Sequence, residues 1–531
     1  MKKYTDPKAV QWDAWFVNRN TEDGVETHAF YLRNGPKSPE VDQQEGWAVG
    51  HAVTTDGYAW EALPAVLPPL LDESRPDDFH SKFTGCAVEK DGACYLFYTM
   101  RDRERASQRI GVSISHDWLH FEPWEGNPVV VNEDTIDIPV ALPDGKQGKG
   151  RLIGFRTLSD YDWNIVDGRD FIVVERDDSD GLGRYSGYYA AAADLGGRTP
   201  VGVIVMLRSH DLLRWTNPRI VYHVDHNGVL EVPDVFCMDG KWVLCCLSGM
   251  NYSGRAVTAD PYASNVTIVA YADRPDGPFL EDENDNILIS GPVQGGFTCR
   301  SFMMDGERAL VYIDRAGFSL ADGKNALSLP KTLRMDESGH LRAYYHPLPM
   351  RYVGEPLPLV WRDEQNSFAW RTFGGVTTAD EREVRLATDP KDYHATAMAL
   401  PAETAAEGSA MLCADITVWG RAGMFLRARG CPYVLLLEVP ERRIALYRLY
   451  NFEMLAARTF AVEEGREYKV RLLCVDDVLE LYVDDVLQVQ CGLPTANLSH
   501  LGFAADRGEL TAKSIEIRGL LPGQINQRLK K

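Results

Sequence analysis

The stretch GHAVTTDGYAWEALPAVLPP, from Gly50 to Pro69, has the pattern of a short strand, a tight Asp-Gly turn closed by an aromatic side chain, and a proline-rich exit. Similar phrases begin at Gly111 (GVSISHDWLHFEPWEGNPVV) and Val203 (VIVMLRSHDLLRWTNPRIVYH). In each phrase an Asp precedes an aromatic residue by four positions, giving the pairs Asp56–Trp60, Asp117–Phe121 and Asp211–Trp215. A phrase repeated at intervals of tens of residues indicates a repeat architecture. Because the phrases alternate like strands, we expect the repeated unit to be a sheet.

Five runs of apolar, β-branched or aromatic residues alternate with these phrases. They are HAFYLRN, CYLFYTMRD, DFIVVERDD, KWVLCCLSG and ALVYIDRAG, beginning at His28, Cys94, Asp170, Lys241 and Ala309. Each has the composition of a buried strand bounded by polar or glycine-containing turns. Five such units predict a five-bladed β-propeller over residues 1–345, within the usual range of four to eight blades.

The C-terminal part of the chain has a different pattern. Residues 346–367 are rich in proline and predict a linker. They are followed by alternating segments such as AGMFLRARG, YVLLLEVP and EYKVRLLCV, which predict a β-sandwich domain over residues 368–522. We therefore expect an all-β chain, a propeller followed by a sandwich, and the sandwich is a candidate surface for forming a homo-oligomer.

Composition excludes several classes of function. A net charge of −21, from 77 acidic against 56 basic residues, disfavours binding to nucleic acid. No stretch approaches the ~20 apolar residues needed to cross a bilayer, so we expect no membrane partner. The ten cysteines form no CxxC pair and no zinc-like spacing, which favours reduced core thiols. With no pattern of a signal peptide at the N-terminus, we expect a cytoplasmic protein without metal or cofactor.

Three acidic residues have unusual neighbours near the starts of predicted strands. Asp13 lies in VQWDAWFV, Asp170 in VDGRDFIVV and Glu231 in GVLEVPDVF. A carboxylate among apolar residues is costly to bury without a partner, so each is a candidate functional residue. Structural roles remain open for each: a turn cap for Asp13, pairing with Arg169 or Arg176 for Asp170, and a solvated strand edge for Glu231. Because the innermost strands of a propeller converge on its axis, acids at their starts are expected to meet.

The same stretches carry a family resemblance. WAVGHAVTTDGYAWEALPAVLPP resembles the first-blade signature of glycoside hydrolase family 32, and KFTGCAVEKDGACYLFYT (Lys82 to Thr99) resembles the motif that follows it. GRDFIVV resembles the Arg-Asp-Pro motif of the family, EVPDVF its Glu-Cys-Pro motif, and VLELYVDD a phrase of its sandwich domain. These motifs occur in the family's order and cover nearly the whole chain.

The resemblance implies a retaining β-fructofuranosidase acting on a small carbohydrate. Asp13 is then the nucleophile, Asp170 the transition-state stabiliser and Glu231 the general acid/base, with nucleophile and acid/base roughly 5–5.5 Å apart. We expect aromatic stacking on the sugar from Trp12, Trp47, Phe83 and Trp163, and polar contacts from Thr84 and Arg169.

Departures from the family pattern keep two alternatives open. The usual Asn before the nucleophile and the Pro-Asn-Gly turn after it are absent from WDAWF, so the identity of the fructoside is not fixed. One alternative is a propeller glycosidase that acts on pentofuranosides or xylosides by inversion, with carboxylates ~6.5–9.5 Å apart. The other is a carbohydrate-binding propeller without catalysis.

Overall fold

The protein is described here by a computed structural model. It describes residues 1–34, 48–67, 81–101, 108–131, 137–153, 168–197, 201–224, 230–249, 265–282, 284–291, 297–316, 324–357, 359, 370–373, 376–379, 383–388, 396–401, 409–428, 430–493 and 498–521. Nearly all regular structure within these ranges is β-strand, which confirms the expected all-β class. Among the same residues, no helix has the length and apolarity needed to cross a membrane.

Four separate sheets lie in the N-terminal part, and their neighbouring strands are antiparallel with one exception, a parallel pair in the third sheet. The first contains β1 (Val10–Thr21), β2 (Gly24–Asn34), β3 (Ala48–Thr54) and β4 (Glu61–Leu67). The second contains β5 (Ser81–Lys90), β6 (Ala93–Arg101), β7 (Gln108–Ser115) and β8 (Glu122–Pro123). The third, in the order β10-β9-β14-β13-β12-β11, contains β9 (Asp137–Ala141), β10 (Gln147–Ile153), β11 (Arg169–Glu175), β12 (Tyr185–Asp194), β13 (Val201–Ser209) and β14 (Thr216–His223). The fourth contains β15 (Leu230–Met238), β16 (Lys241–Gly249), β17 (Asn265–Ala272) and β18 (Ile287–Gly291).

The remaining strands are hydrogen-bonded into one 18-stranded sheet. It begins with β19 (Phe297–Met304), β20 (Glu307–Ala316), β21 (Lys324–Leu327), β22 (Lys331–Met335) and β23 (Leu341–Tyr345). After a 3₁₀ turn at Met350–Tyr352 it continues with β24 (Val353–Pro356), β25 (Trp370–Phe373), β26 (Val376–Ala379), β27 (Glu383–Ala387), β28 (Thr396–Pro401), β29 (Ala410–Ala428), β30 (Cys431–Glu438), β31 (Arg443–Arg448), β32 (Glu453–Thr459), β33 (Glu467–Val475), β34 (Val478–Val483), β35 (Val486–Gly492) and β36 (Leu498–Leu520).

The first strands of successive sheets form a closed ring. Strand β1 contacts β5, β5 contacts β11, β11 contacts β15, β15 contacts β19, and β19 returns to β1. This is the arrangement of a β-propeller, in which the innermost strand of every sheet faces a common axis.

The prediction of five blades needs a correction, because only four are separate sheets in the described residues. The fifth place in the ring is taken by β19–β23, which continue into the C-terminal strands. The connection is made where β23 pairs with β35 through Tyr344 and Val486, and where β24 pairs with β36 through Val353 and Leu520. The edge of the last blade is therefore covered by the C-terminal strands, and covering is one way in which proteins protect an exposed sheet edge.

The repeated Asp phrases form the turns between the third and fourth strands of the first three sheets, counted outwards from the innermost strand. A carboxylate oxygen of Asp211 accepts hydrogen bonds of 2.9 Å from the backbone N–H groups of Leu213 and Arg214, and Asp56 and Asp117 make the same pattern. Such side-chain bonds replace those of a backbone turn. The aromatic residue four positions on packs into an apolar cluster, as for Trp60, Phe121 and Trp215. The repeat signal in the sequence is thus structural in origin.

A buried polar network joins the ring to the C-terminal strands. On β22, Lys331 Nζ lies 2.5 Å from Glu480 Oε1 on β34, and the hydroxyl groups of Tyr312 and Tyr482 donate to the same carboxylate at 3.1 and 2.7 Å. Beside it, Lys3 pairs with Asp314, whose other oxygen accepts from Gln490, again joining the two parts of the chain. A buried ion pair whose remaining hydrogen bonds are satisfied is costly to break from one side only.

We predict that Lys331→Met lowers the free energy of unfolding by about 3 kcal/mol or more, because it leaves the Glu480 carboxylate buried without its cation. The double variant Lys331→Met/Glu480→Gln should recover much of this loss, as measured by thermal or urea unfolding. The control is Lys469→Met, which removes a largely exposed pair with Asp485 and should change stability by less than about 1 kcal/mol. Equal losses at Lys331 and Lys469 would contradict the role given to the buried network.

Candidate active site

Each innermost strand carries a β-bulge at the same level of the ring. The pairing register shifts by one extra residue at Asp13 in β1, at Thr84 in β5, at Asp170–Phe171 in β11, at Val232–Pro233 in β15 and at Thr298–Cys299 in β19. In the last three the first bulge residue has a positive φ, of 61°, 49° and 51°. A bulge interrupts the ladder and redirects its side chains. The bulges therefore turn one set of side chains towards the axis.

A chain of hydrogen bonds connects Asp13 with Asp170 through four strands, β1, β5, β6 and β11. The hydroxyl of the buried Thr84 donates to Asp13 Oδ2. The carbonyl of Thr84 accepts from Thr99 Oγ1 at 2.8 Å, and that hydroxyl oxygen accepts from the backbone N–H of Asp170 at 3.1 Å. The two carboxylate-bearing bulges are consequently held in a fixed relation by the second sheet.

Arg169 lies between the other two carboxylates. Its Nη2 donates to Glu231 Oε1, and its Nε is 3.6 Å from Asp170 Oδ2. The same Asp170 oxygen accepts from the backbone N–H of Val232 at 2.9 Å. The side chain of Asp170 is 6% exposed and that of Glu231 is 19% exposed, so Glu231 is the more accessible of the two.

Two of the three acids, Asp170 and Glu231, have a raised pKa. Burial raises the pKa of Asp170 to about 7, Arg169 opposes this, and the charges of Glu231 and Asp13 add to it. Burial also raises the pKa of Glu231, again with Arg169 opposing and Asp13 adding. Like charges that share a partly buried site favour retention of a proton. The site therefore favours the protonated forms of Asp170 and Glu231.

The structure thus brings together five of the residues selected from the sequence: Asp13, Thr84, Arg169, Asp170 and Glu231. Trp12 and Phe83 flank the bulges of β1 and β5, and both pack partly against the apolar cluster around Trp15 and Phe30. The remaining two, Trp47 and Trp163, lie outside the described residues.

Two residues of this region escaped the sequence reasoning. Thr99 lies in the apolar run CYLFYTMRD, where a threonine carries no functional signal of its own. Arg300 lies in FTCRSFMM, where a cation between apolar residues is the same kind of signal that identified the three acids. Within the described residues, no group of three or more His, Cys, Asp or Glu side chains is placed to hold a metal ion.

We predict that Asp170→Asn raises stability, and does so more at pH 8 than at pH 5. A carboxyl whose pKa is raised on folding binds its proton more tightly in the folded state, so stability is lost as pH rises from about 4 through about 7. The Asn side chain stays neutral at every pH and so does not lose this stability. At 1.36 kcal/mol per pKa unit the gain at pH 8 is about 4 kcal/mol at most. Thermal unfolding across this pH range measures it.

The control for this measurement is Asp211→Asn. The pKa of Asp211 is lowered, because backbone hydrogen bonds from Arg214 and Leu213 outweigh its burial. This variant should therefore lose stability relative to the wild type as pH rises, which is the opposite sign. A gap between wild type and Asp170→Asn that shrinks towards pH 8 would contradict the burial of Asp170 as a charged group.

Comparison with known proteins gives two findings. Residues 23–138 match the family model described as the glycosyl hydrolases family 32 N-terminal domain. This confirms, over that segment, the resemblance indicated by the sequence motifs.

Solved structures share the fold along nearly the whole chain. A Bombyx mori family 32 β-fructofuranosidase has a TM-score of 0.64 at 16% identity, covering 98% of this chain and 93% of that one. A Lactobacillus gasseri sucrose-6-phosphate hydrolase has a TM-score of 0.65 at 14% identity, covering 98% and 93%. An exo-inulinase from Aspergillus awamori has a TM-score of 0.62 at 14% identity, covering 98% of both chains.

Proposed function

We propose that this divergent glycoside hydrolase of family 32 is a retaining β-fructofuranosidase. Its substrates are terminal β-fructofuranosidic linkages in sucrose, fructooligosaccharides or fructans. The observation that carries the proposal is the meeting of Asp13, Asp170 and Glu231 from three different strands of the ring, with Arg169 in contact with the last two. The similar structures named above, a β-fructofuranosidase, a sucrose-6-phosphate hydrolase and an exo-inulinase, support the substrate class.

Asp13 suits the role of the nucleophile. In the first step its carboxylate oxygen forms a bond to the anomeric carbon of the fructosyl unit while the bond to the leaving oxygen breaks. The Thr84 hydroxyl donates a hydrogen bond to Asp13 Oδ2 and so holds the carboxylate in one orientation. A nucleophile held by a hydrogen-bond donor approaches the sugar without an entropy cost at the moment of reaction.

Glu231 suits the role of the general acid and base. Burial and the charge of Asp13 raise its pKa, which favours the protonated form needed to protonate the leaving oxygen. After departure of the leaving group, the carboxylate accepts a proton from the water that attacks the fructosyl–Asp13 bond. Its greater exposure compared with Asp170 places it better for exchange with a leaving group and with water.

Asp170 suits the role of binding sugar hydroxyls. It is deeply buried, and one of its oxygens is occupied by the N–H of Val232. A carboxylate fixed in this way forms stronger hydrogen bonds with sugar hydroxyls where water is excluded. Arg169 sits against both Asp170 and Glu231 and limits the repulsion among the acids as the substrate enters.

The first test is release of sugar from a panel of sucrose, inulin, levan and pentoside substrates. We expect fructose from one or more fructosides, and a loss of at least ~10³-fold for Asp13→Ala, since loss of a covalent nucleophile removes the reaction path. Asp211→Asn changes a turn carboxylate away from the innermost strands. It serves as the matched control and should keep wild-type activity within ~2-fold.

Two outcomes of this panel contradict the proposal. Release of a pentose with no release of fructose favours the inverting glycosidase. Wild type and Asp13→Ala that are equally inactive on every substrate, while the wild type still binds sugars, favour a carbohydrate-binding propeller.

We also predict a dependence on the leaving group for Glu231→Gln. Activity on sucrose should fall by ~10²–10⁴-fold, the usual contribution of a general acid. The first step on p-nitrophenyl β-fructofuranoside should fall far less, because p-nitrophenolate leaves without protonation. In the wild type, kcat/KM on sucrose should decline as pH rises through the raised pKa of Glu231, and this decline should be absent for the variant on the p-nitrophenyl substrate. Equal losses on both substrates would assign the acid role elsewhere.

The division of the chain remains part of the proposal. We propose a propeller over residues 1–345, a linker over 346–367 and a sandwich over 368–522. A separate C-terminal domain is supported by one large apolar cluster made of C-terminal residues, among them Leu412, Leu435 and Phe503. In this view the sandwich braces the last blade through the Lys331–Glu480 network.

A further inference from the structure

Arg300 is a buried cation on the axis of the ring. It belongs to β19 and is the first residue to rejoin the ladder after the Thr298–Cys299 bulge, opposite Val311. Its side chain is 1% exposed. In the described part of the chain no carboxylate forms an ion pair with it. A buried arginine normally satisfies its charge with an acid, so its other partners explain why it is there.

Those partners are backbone carbonyls on three other innermost strands. The guanidinium donates to the carbonyl of Pro233 on β15, to that of Gly85 on β5 at 3.3 Å, and to that of Asp170 on β11 at 3.5 Å. Arg300 thus reaches from the fifth place of the ring to three of the other four.

These carbonyls belong to the bulges that carry the proposed site. Asp170 and Pro233 are bulge residues, Pro233 comes two positions after Glu231, and Gly85 follows Thr84. A bulge disrupts the ladder, and a buried carbonyl without a ladder partner must find another donor. Arginine presents five N–H donors in a planar fork and is the side chain best suited to serve several carbonyls from one point.

Two of the residues at the level of Arg300 are small. The residues that rejoin the ladder after the bulges of the first two innermost strands are Ala14 in β1 and Gly85 in β5. A Cβ at Gly85 would lie 1.9 Å from the carbonyl oxygen of Phe97, so the position requires glycine. The tight contact at Gly85 is with the backbone of β6, its neighbour in the same sheet.

We propose that Arg300 is a positioning residue for the proposed hydrolysis: by tying three bulges to one guanidinium, it fixes the separation of Asp13, Asp170 and Glu231. The inference rests on the proposed function for its kinetic test, but its structural content stands on the three hydrogen bonds alone. Arg300 does not touch the reacting atoms, since it binds the backbone beneath the carboxylates.

The test compares Arg300→Met and Arg300→Lys with Arg208→Met. Arg208 is a matched control because it is equally buried, pairs with Asp180 and donates to the carbonyl of Gly183, but it lies on β13 away from the bulges. Thermal unfolding, kcat and KM on an accepted fructoside, and crystal structures of each variant are measured.

We expect kcat to fall ~10²-fold in Arg300→Met with KM within ~3-fold, because a displacement of about 1 Å is enough to cost that much in rate. Arg300→Lys keeps the charge but not the fork, and we expect a kcat loss of ~10-fold. Arg208→Met should lose stability but keep kcat within ~3-fold. A fully active Arg300→Lys would replace positioning by a purely electrostatic role and overturn the proposal, as would equal kcat losses at Arg300 and Arg208.

The crystal structures decide the matter separately from activity. We expect the separation between the Asp13 and Glu231 carboxylates to change by more than ~0.5 Å in Arg300→Met, the tolerance within which a catalytic constellation is held. Unmoved carboxylates would overturn the positioning role even if kcat falls. A wild type that is inactive on every fructoside refutes the proposed function and leaves this structural result to decide the role of Arg300; if Arg300→Met does not fold, Arg300→Lys carries both measurements.

Discussion

One extra residue in each innermost strand, inserted at the same level of the ring, is the constraint on which the site depends. A regular strand alternates its side chains between two faces, so an uninterrupted ladder cannot place two consecutive residues against one site. At the third sheet the bulge allows Arg169 and Asp170 to reach the same group of acids. The cost is a set of backbone groups outside the ladder. The Thr99 hydroxyl accepts from the N–H of Asp170 and donates to the carbonyl of Thr84, and Arg300 donates to the carbonyl of Asp170.

Electrostatics then follows from geometry. Three carboxylates converge where solvent is scarce, and Arg169 is the cation in contact with two of them. The remaining imbalance appears as raised proton affinity at Asp170 and Glu231. In the proposed mechanism one acid protonates the leaving group and another is the charged nucleophile. One cluster can supply both, because its members differ in burial and hydrogen bonding. Burying Asp170 as a charge lowers the stability of the fold. Buried ion pairs elsewhere, such as Lys331–Glu480, stabilise it by holding the ring to the C-terminal strands.

Much of this was predictable from the sequence, and for identifiable reasons. The Asp phrases predicted sheets because Asx turns have a local sequence signature. The three acids were identified as candidates because their neighbours are apolar. Bulges have no compositional signature, so the role of Thr99 was invisible and that of Arg300 was overlooked. The continuity of the last blade with the C-terminal strands depends on pairing between Tyr344 and Val486, which are distant in the chain and carry no matching motif. Trp47 and Trp163 remain predictions as sugar-stacking residues.

The proposed mechanism requires Asp13 and Glu231 to lie at the spacing of a double-displacement reaction. The most direct measurement is the anomeric configuration of fructose in the first moments of hydrolysis, followed by NMR before mutarotation sets in. Two successive displacements conserve configuration, so the account predicts that the β-anomer appears first. Initial release of the α-anomer would mean single displacement by water between more widely separated carboxylates, and would contradict the role given to Asp13.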